Sequence, residues 1–192
     1  CRLRNSAGHV LTSTHSVIRA TGSEFAEAGA GPVKLCGGSA EMVNCTFSNY
    51  YLFSAITGAL VQVEHTDPDH TDDSSLPFLS ARITNSILYG SSVEVNRSNL
   101  DGTDIYLTGC LMRSKGSDDD HYVSCIWSSD PLFYTVRSEY IFDYRIKTES
   151  PAIGASTPCE TQLPDTDFYG TPRPVPASIG AYEPLTDTGE AL

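Results

Sequence analysis

Basic side chains are scarce: twelve Lys and Arg face twenty-four Asp and Glu over 192 residues, a formal net charge of -12. A surface with that balance repels a polyanionic backbone, so nucleic acid is not an expected partner. Long apolar runs are missing as well; nothing approaches the length of a membrane-spanning helix, and the opening Cys1-Arg2-Leu3-Arg4 lacks Met and a signal-peptide apolar core. The start therefore reads as that of a fragment or mature product. The six cysteines (Cys1, Cys36, Cys45, Cys110, Cys125, Cys159) form neither a CxxC pair nor a Cys/His cluster, which removes the zinc and thioredoxin readings. Their pairing and redox compartment stay open at this stage. No G-x-S-x-G nucleophile elbow occurs, so the many serines and five histidines do not define a hydrolase triad. With 40% hydrophobic residues the chain has enough apolar matter for a core.

What is present is a repeat. Five segments align: CRLRNSAG (1–8), IRATGSEF (18–25), AEMVNCTF (40–47), ARITNSIL (81–88) and IYLTGCLM (105–112). Apolar residues hold their first and third positions and mainly polar ones the second (Arg2, Arg19, Glu41, Arg82, Tyr106), the alternation of a half-buried strand. The fifth position holds only Asn or Gly (Asn5, Gly22, Asn44, Asn85, Gly109), the residues that enter the left-handed region most cheaply, so the chain is predicted to turn a corner there. A small residue follows (Ser6, Ser23, Cys45, Ser86, Cys110), and then, in four of five segments, a large apolar one (Phe25, Phe47, Leu88, Met112). Cys45 and Cys110 at this small position read as buried thiols acting as small hydrophobes.

The small residues are 17, 22, 41 and 24 apart, and the long interval contains a strand-like run, Ala59 to Val63, followed by the polar stretch HTDPDHTDDSSLP, so it reads as one coil with an inserted loop. Further strands are predicted at Val33 to Cys36 and Val93 to Val95, giving each coil more than one face. The fold expected from this is an all-β right-handed parallel β-helix, a solenoid of stacked coils; an antiparallel β-sandwich is the alternative. Coils are expected over residues 1–127 with the insertion at 65–77, a terminal coil and Pro-rich cap over 128–184, and a polar tail over 185–192. The cap follows from Pro151, Pro158, Pro164, Pro172, Pro174 and Pro176, which lack the N–H that a further stacking strand needs.

Certain motifs carry a family resemblance. Asn44-Cys45-Thr46-Phe47-Ser48-Asn49, Ile83 to Gly90, Asp130-Pro131-Leu132-Phe133, Ser150 to Ala155, Asp167 to Pro174 and Ile179 to Glu183 resemble right-handed parallel β-helix repeat proteins of bacterial surfaces, in particular the C-terminal region of the pectin-lyase-like and choice-of-anchor type. The resemblance implies a secreted or cell-surface protein, upstream β-helix coils of the same protein as neighbours, and polysaccharide as a ligand class. It implies no particular reaction.

Candidate sites are few. The column Arg2, Arg19, Glu41, Arg82 and Tyr106 would suit neutralisation of a uronate carboxylate, but the alternation of sign reads more simply as stacked exposed ion pairs. Asp67, Asp69, Asp72 and Asp73 with His65 and His70, and Asp118, Asp119 and Asp120 with His121, offer oxygen donors of the kind Ca2+ takes, without a fixed ligand spacing; they read as solvated acidic turns. Tyr50, Tyr51 and Phe53 could stack on sugar rings or fill a core. No catalytic residue, cofactor or metal ligand is assigned. The expected role is a structural or glycan-contacting segment, not catalytic by itself; the alternatives are a fragment of a polysaccharide lyase or glycoside hydrolase with its active site upstream, and an adhesin stalk.

Overall fold

The computed structural model describes residues 1–64, 79–96, 104–138 and 140–184, without the side chains of 137 and 138. The predicted insertion at 65–77, with its acidic residues, and the tail 185–192 lie outside the described residues. Among the described residues the chain is all-β, with no helix.

Fifteen strands run in order: β1 (Arg2–Ser6), β2 (Leu11–Thr14), β3 (Val17–Thr21), β4 (Glu24–Ala28), β5 (Val33–Cys36), β6 (Ser39–Val43), β7 (Thr46–Ser48), β8 (Val61–Glu64), β9 (Ser80–Thr84), β10 (Ile87–Leu88), β11 (Asp104–Thr108), β12 (Leu111–Met112), β13 (Tyr122–Val123), β14 (Phe133–Ser138) and β15 (Ile141–Ile146). Thirteen of them make three parallel sheets, ordered β1-β4-β7-β10-β12, β2-β5-β8 and β3-β6-β9-β11-β13. From β1 to β9 the chain visits the three sheets in a repeating cycle, and from β10 to β13 it alternates between the two five-stranded ones, so each round lays its strands beside those of the round before. Parallel pairing throughout these sheets rules out the antiparallel sandwich. Val93 to Val95 contributes a single parallel bridge, Val95 to Val61, rather than a strand. The hairpin β14–β15 is antiparallel and was not foreseen in the repeat.

The Asn/Gly corners are where the sequence placed them. Gly22, Asn44, Asn85 and Gly109 have φ of 51°, 48°, 50° and 62°, and Ser124, which the alignment missed, continues the column at 54°. Asn5 also has positive φ, 62°, but it belongs elsewhere. The first segment is out of register: Arg2 to Ser6 pairs with Glu24 to Ala28 in the sheet of β4, so Cys1 rather than Ser6 stacks on Ser23, and Leu3 rather than Gly8 lies over Phe25. Asn5 accordingly stands on Glu27, itself at φ 56°.

Interior columns follow from this register. Met42, Ile83, Leu107 and Tyr122 stack in successive rounds, fully buried. On the next face Phe25 lies parallel to Phe47 with ring centroids 5.3 Å apart, and Leu88 and Met112 continue the column. Ladders of like apolar side chains are the natural product of in-register parallel strands, because equivalent residues meet every ~4.8 Å.

The proline-containing C-terminal segment does not lie across the end of this stack. It runs along one flank as a strap. Thr157 bonds to Asn85, Gly180 N–H to Asn85 O (2.9 Å), Ala181 N–H to Thr46 Oγ1 (3.0 Å), Asn44 Nδ2 to Ser178 O (2.7 Å), and Tyr182 reaches Glu24 (2.6 Å). The physical reason lies in the corners: a residue with positive φ turns its side chain outward, so Asn44 and Asn85 present amides that side chains of the strap and its peptide groups can pair with. Asn85 donates to Thr157 O (2.8 Å) and accepts from Thr157 N–H and Oγ1–H (both 2.8 Å).

Asn85→Ala is therefore expected to lower the unfolding free energy by about 2–3 kcal/mol, combining a left-handed alanine with unpaired strap groups. Thr157→Val, which keeps the backbone bonds, should lose about 1 kcal/mol. Urea denaturation of the two variants checks both the sizes and their order.

Candidate functional site

β4 reads Glu-Phe-Ala-Glu-Ala, and every residue in it is buried. One side of the strand faces the interior; the other is covered by β15 and the strap, which leaves Glu24 and Glu27 as carboxylates without access to bulk water. Burial of a charge demands a partner. Arg4, one strand away, donates from Nε and Nη2 to the Glu24 carboxylate and from Nη1 to Phe142 O (2.8 Å), while Tyr182 O–H donates to the second Glu24 oxygen. Tyr144 O–H and Tyr50 N–H both donate to Glu27 Oε1, while Oε2 has no partner.

These surroundings set the protonation states. Burial pushes the Glu27 carboxyl above the ordinary range, against the hydrogen bond from Tyr144. Burial, with the adjacent carboxylates, drives the Tyr144 and Tyr182 phenols far up, so both remain donors. The Arg4 guanidinium is also raised: burial opposes its charge, and the Glu24 hydrogen bond and charge outweigh it.

Above this layer lies a cleft of about 350 Å³ lined by Arg2, Arg4, Asn5, Tyr140 to Asp143 and Tyr169. Arg2 donates to the Tyr169 hydroxyl oxygen (3.0 Å) and sits 5.4 Å from the Phe168 ring; Arg145, paired with Asp143 (2.5 Å), lies 4.5 Å from the Tyr169 ring. Tyr140 is 73% exposed and Phe168 53%. The guanidinium groups of Arg2 and Arg4, the exposed Tyr140 and the Asp143 carboxylate thus share one concave surface, with Arg4 engaged by Glu24. A second cavity, about 420 Å³, lies between the Asn44 and Asn85 corners and the strap. Within it the strap is tied to itself: Arg173 pairs with Glu183 (3.0 Å) and donates to Ala181 O (2.7 Å).

The residues singled out in the sequence fare differently. Arg19, Glu41, Arg82 and Tyr106 do form one outward column, but Arg2 is not in it; Arg2 pairs in register with Glu24. Arg19 meets Glu41 at 3.5 Å, whereas Arg82 pairs with Asp104 (2.7 Å) and covers Tyr106 at 4.4 Å. Exposed pairs of this kind contribute at most about 1 kcal/mol. Asp118 accepts from Ser124 N–H, Cys125 N–H and Trp127 Nε1–H, which hold it below the usual carboxylate range, the indole contributing most. Asp119 accepts from the amides of His121 and Tyr122. These carboxylates are turn-formers, and among the described residues no group of three His, Cys, Asp or Glu side chains is placed to hold a metal ion. His65, Asp67, Asp69, His70, Asp72 and Asp73 lie outside the described residues. Tyr50 packs on the core beneath β15, while Tyr51 and Phe53 touch edge to face at 5.5 Å with Phe53 largely exposed.

No family model matches the chain, and no curated protein matches its sequence. Among the described residues no helix is long and apolar enough to cross a membrane.

The buried carboxylates generate two expectations. Glu24→Gln leaves the half-buried Arg4 without its counter-charge and should cost about 2–3 kcal/mol. For Glu27, a folded value raised above the unfolded one means that its contribution is full below the unfolded value, about 4.3, and is lost as pH rises through the folded value. Glu27→Gln should therefore gain stability relative to wild type between pH 4 and 7, measured as the difference between urea midpoints; a constant difference across that range would show that Glu27 titrates normally.

Proposed function

We propose that this chain is the C-terminal portion of a right-handed parallel β-helix in a secreted or surface-attached bacterial protein, and that its flank binds an acidic polysaccharide without cleaving it. The cyclic visit to three parallel sheets and the left-handed corner column support the β-helix reading. Further coils stacked on β1, β2 and β3 fit the edge position of all three strands and the partial exposure of Leu3, Leu11 and Ile18.

The observation that carries the binding reading is the cleft of Arg2, Arg4, Tyr140 and Tyr169, with Phe168 and Arg145 at its margin. The Arg2 guanidinium fits a uronate carboxylate, and the exposed rings of Tyr140 and Phe168 fit the C–H faces of pyranose rings. A cleft of this charge stands out on a chain of net charge -12. The absence of turnover is supported by the state of the acids in and beneath the cleft: Asp143 is paired with Arg145, Glu24 is spent on Arg4 and Tyr182, and Glu27 lies under Tyr144.

Affinity electrophoresis of the full chain against a polyuronate and a neutral glucan, with and without Ca2+, tests this. Retardation by the polyuronate alone is expected, weakened about fivefold by Tyr140→Ala or Tyr169→Ala, the size of one exposed cation–π or stacking contact. Equal retardation by the neutral glucan, or none by either, would sink it. Release of unsaturated uronate products, followed by ultraviolet absorbance, would instead favour the lyase reading.

A further inference from the structure

Four of the six cysteines share one column. Cys1, Ser23, Cys45, Ser86, Cys110 and Cys125 occupy successive rungs, each one residue before the in-register pairs Arg2 with Glu24, Glu24 with Thr46, Thr46 with Ile87, Ile87 with Leu111 and Leu111 with Ile126. They also share a stance. Ser23, Cys45, Ser86, Cys110 and Cys125 each donate to the carbonyl two residues back, at 2.9, 3.5, 2.9, 3.6 and 3.7 Å. Serine separates Cys1 from Cys45 and Cys45 from Cys110, so those pairs are two rungs apart, about 9.6 Å, beyond the reach of a disulfide. Cys110 and Cys125 alone in this column are neighbours. Ile126 N–H bonds to Cys110 O at 2.8 Å, and one rung, ~4.8 Å, lies inside the Cα separation that disulfides span.

We propose that Cys125 and Cys110 form a thiol–disulfide exchange site, in which Cys125 takes up a small-molecule disulfide and Cys110 resolves it into an intramolecular bond joining the last two rounds. The two thiols are unequal in the way this requires. Cys125 is partly exposed at the end of the stack, and Cys110 is fully buried. The hydrogen bond from Cys110 lowers the Cys125 thiol, while burial raises that of Cys110 well above its ordinary value, which makes Cys125 the attacking thiolate. In the first step the Cys125 thiolate attacks one sulfur of RSSR; that S–S bond breaks, RS⁻ leaves and takes a proton. In the second, Cys110 gives up its proton and attacks the Cys125 sulfur, and the second RS⁻ leaves with that proton. Two protein thiols are oxidised and one RSSR is reduced to two RSH.

The test uses the full chain with the exposed Cys1 and Cys159 replaced by serine, incubated with oxidised glutathione, quenched in acid and measured by intact mass and peptide mapping. The expected product has lost two hydrogens, carries no glutathione, and yields a dithiothreitol-sensitive peptide linking Cys110 to Cys125. Adding Cys110→Ser should arrest the reaction as a glutathione adduct on Cys125; adding Cys125→Ser, the residue already used at two rungs of the column, should abolish both products. Circular dichroism of each variant confirms that the fold is kept. A lasting adduct on Cys125 when Cys110 is present, or no reaction at Cys125 at all, would overturn the proposal.

Discussion

The left-handed corner between the third strand of each round and the first strand of the next is the constraint on which the remaining architecture depends. An ordinary side chain at φ near 50° costs about 1–2 kcal/mol, so the position is restricted to Gly and Asn with one Ser at the end of the column. Because the corner recurs at the same place in every round, it sets the register of the strands on both sides of it. That register brings Phe onto Phe and isoleucine onto leucine in the interior. The same geometry turns the Asn amides outward, where they become the holding points of the strap. One backbone requirement thus governs core, register and flank together.

Much of this was legible in the sequence because a corner leaves a compositional trace: only Asn or Gly, then a small residue, then a large apolar one. The first segment shows how that trace misleads. Cys1 to Gly8 has the right letters, yet Leu3 alternates equally well in either of two neighbouring sheets, and the pairing of Arg2 with Glu24 decides the matter. The buried carboxylates were not legible at all. Glu24 and Glu27 would be taken as solvent-facing in any strand pattern, and the tyrosines that satisfy them lie 158 and 117 residues away. The nearest clue was the motif around Tyr182, which entered only through its resemblance to the C-terminal region of β-helix proteins. The acidic turn at 118–120, conspicuous in sequence, is explained by the backbone amides it collects.

Charge is distributed with some economy. The chain is strongly acidic overall, yet Arg2, Arg4 and Arg145 gather where β1, the hairpin and the strap meet. Arg4 neutralises a buried acid, and Arg2 and Arg145 lie against Tyr169. The cleft and the buried network therefore share the same cations, which couples the shape of the outer surface to the integrity of the layer beneath. Loss of the Glu24 pair would disturb the cleft from below without touching a residue that lines it, apart from Arg4.

A stack in which each round touches only its neighbours is free to fray, because terminal rounds can open while the middle remains intact. The strap changes this. It meets Asn85 through Thr157, Arg2 through Tyr169, Asn44 through Ser178 and Glu24 through Tyr182. The first two rounds are thereby tied to the middle of the stack through one continuous piece of chain, and they cannot open without tearing contacts to it. Stability that would otherwise be graded toward the first round becomes shared with the middle, so amide exchange in the strapped first rounds is expected to be as slow as in the middle.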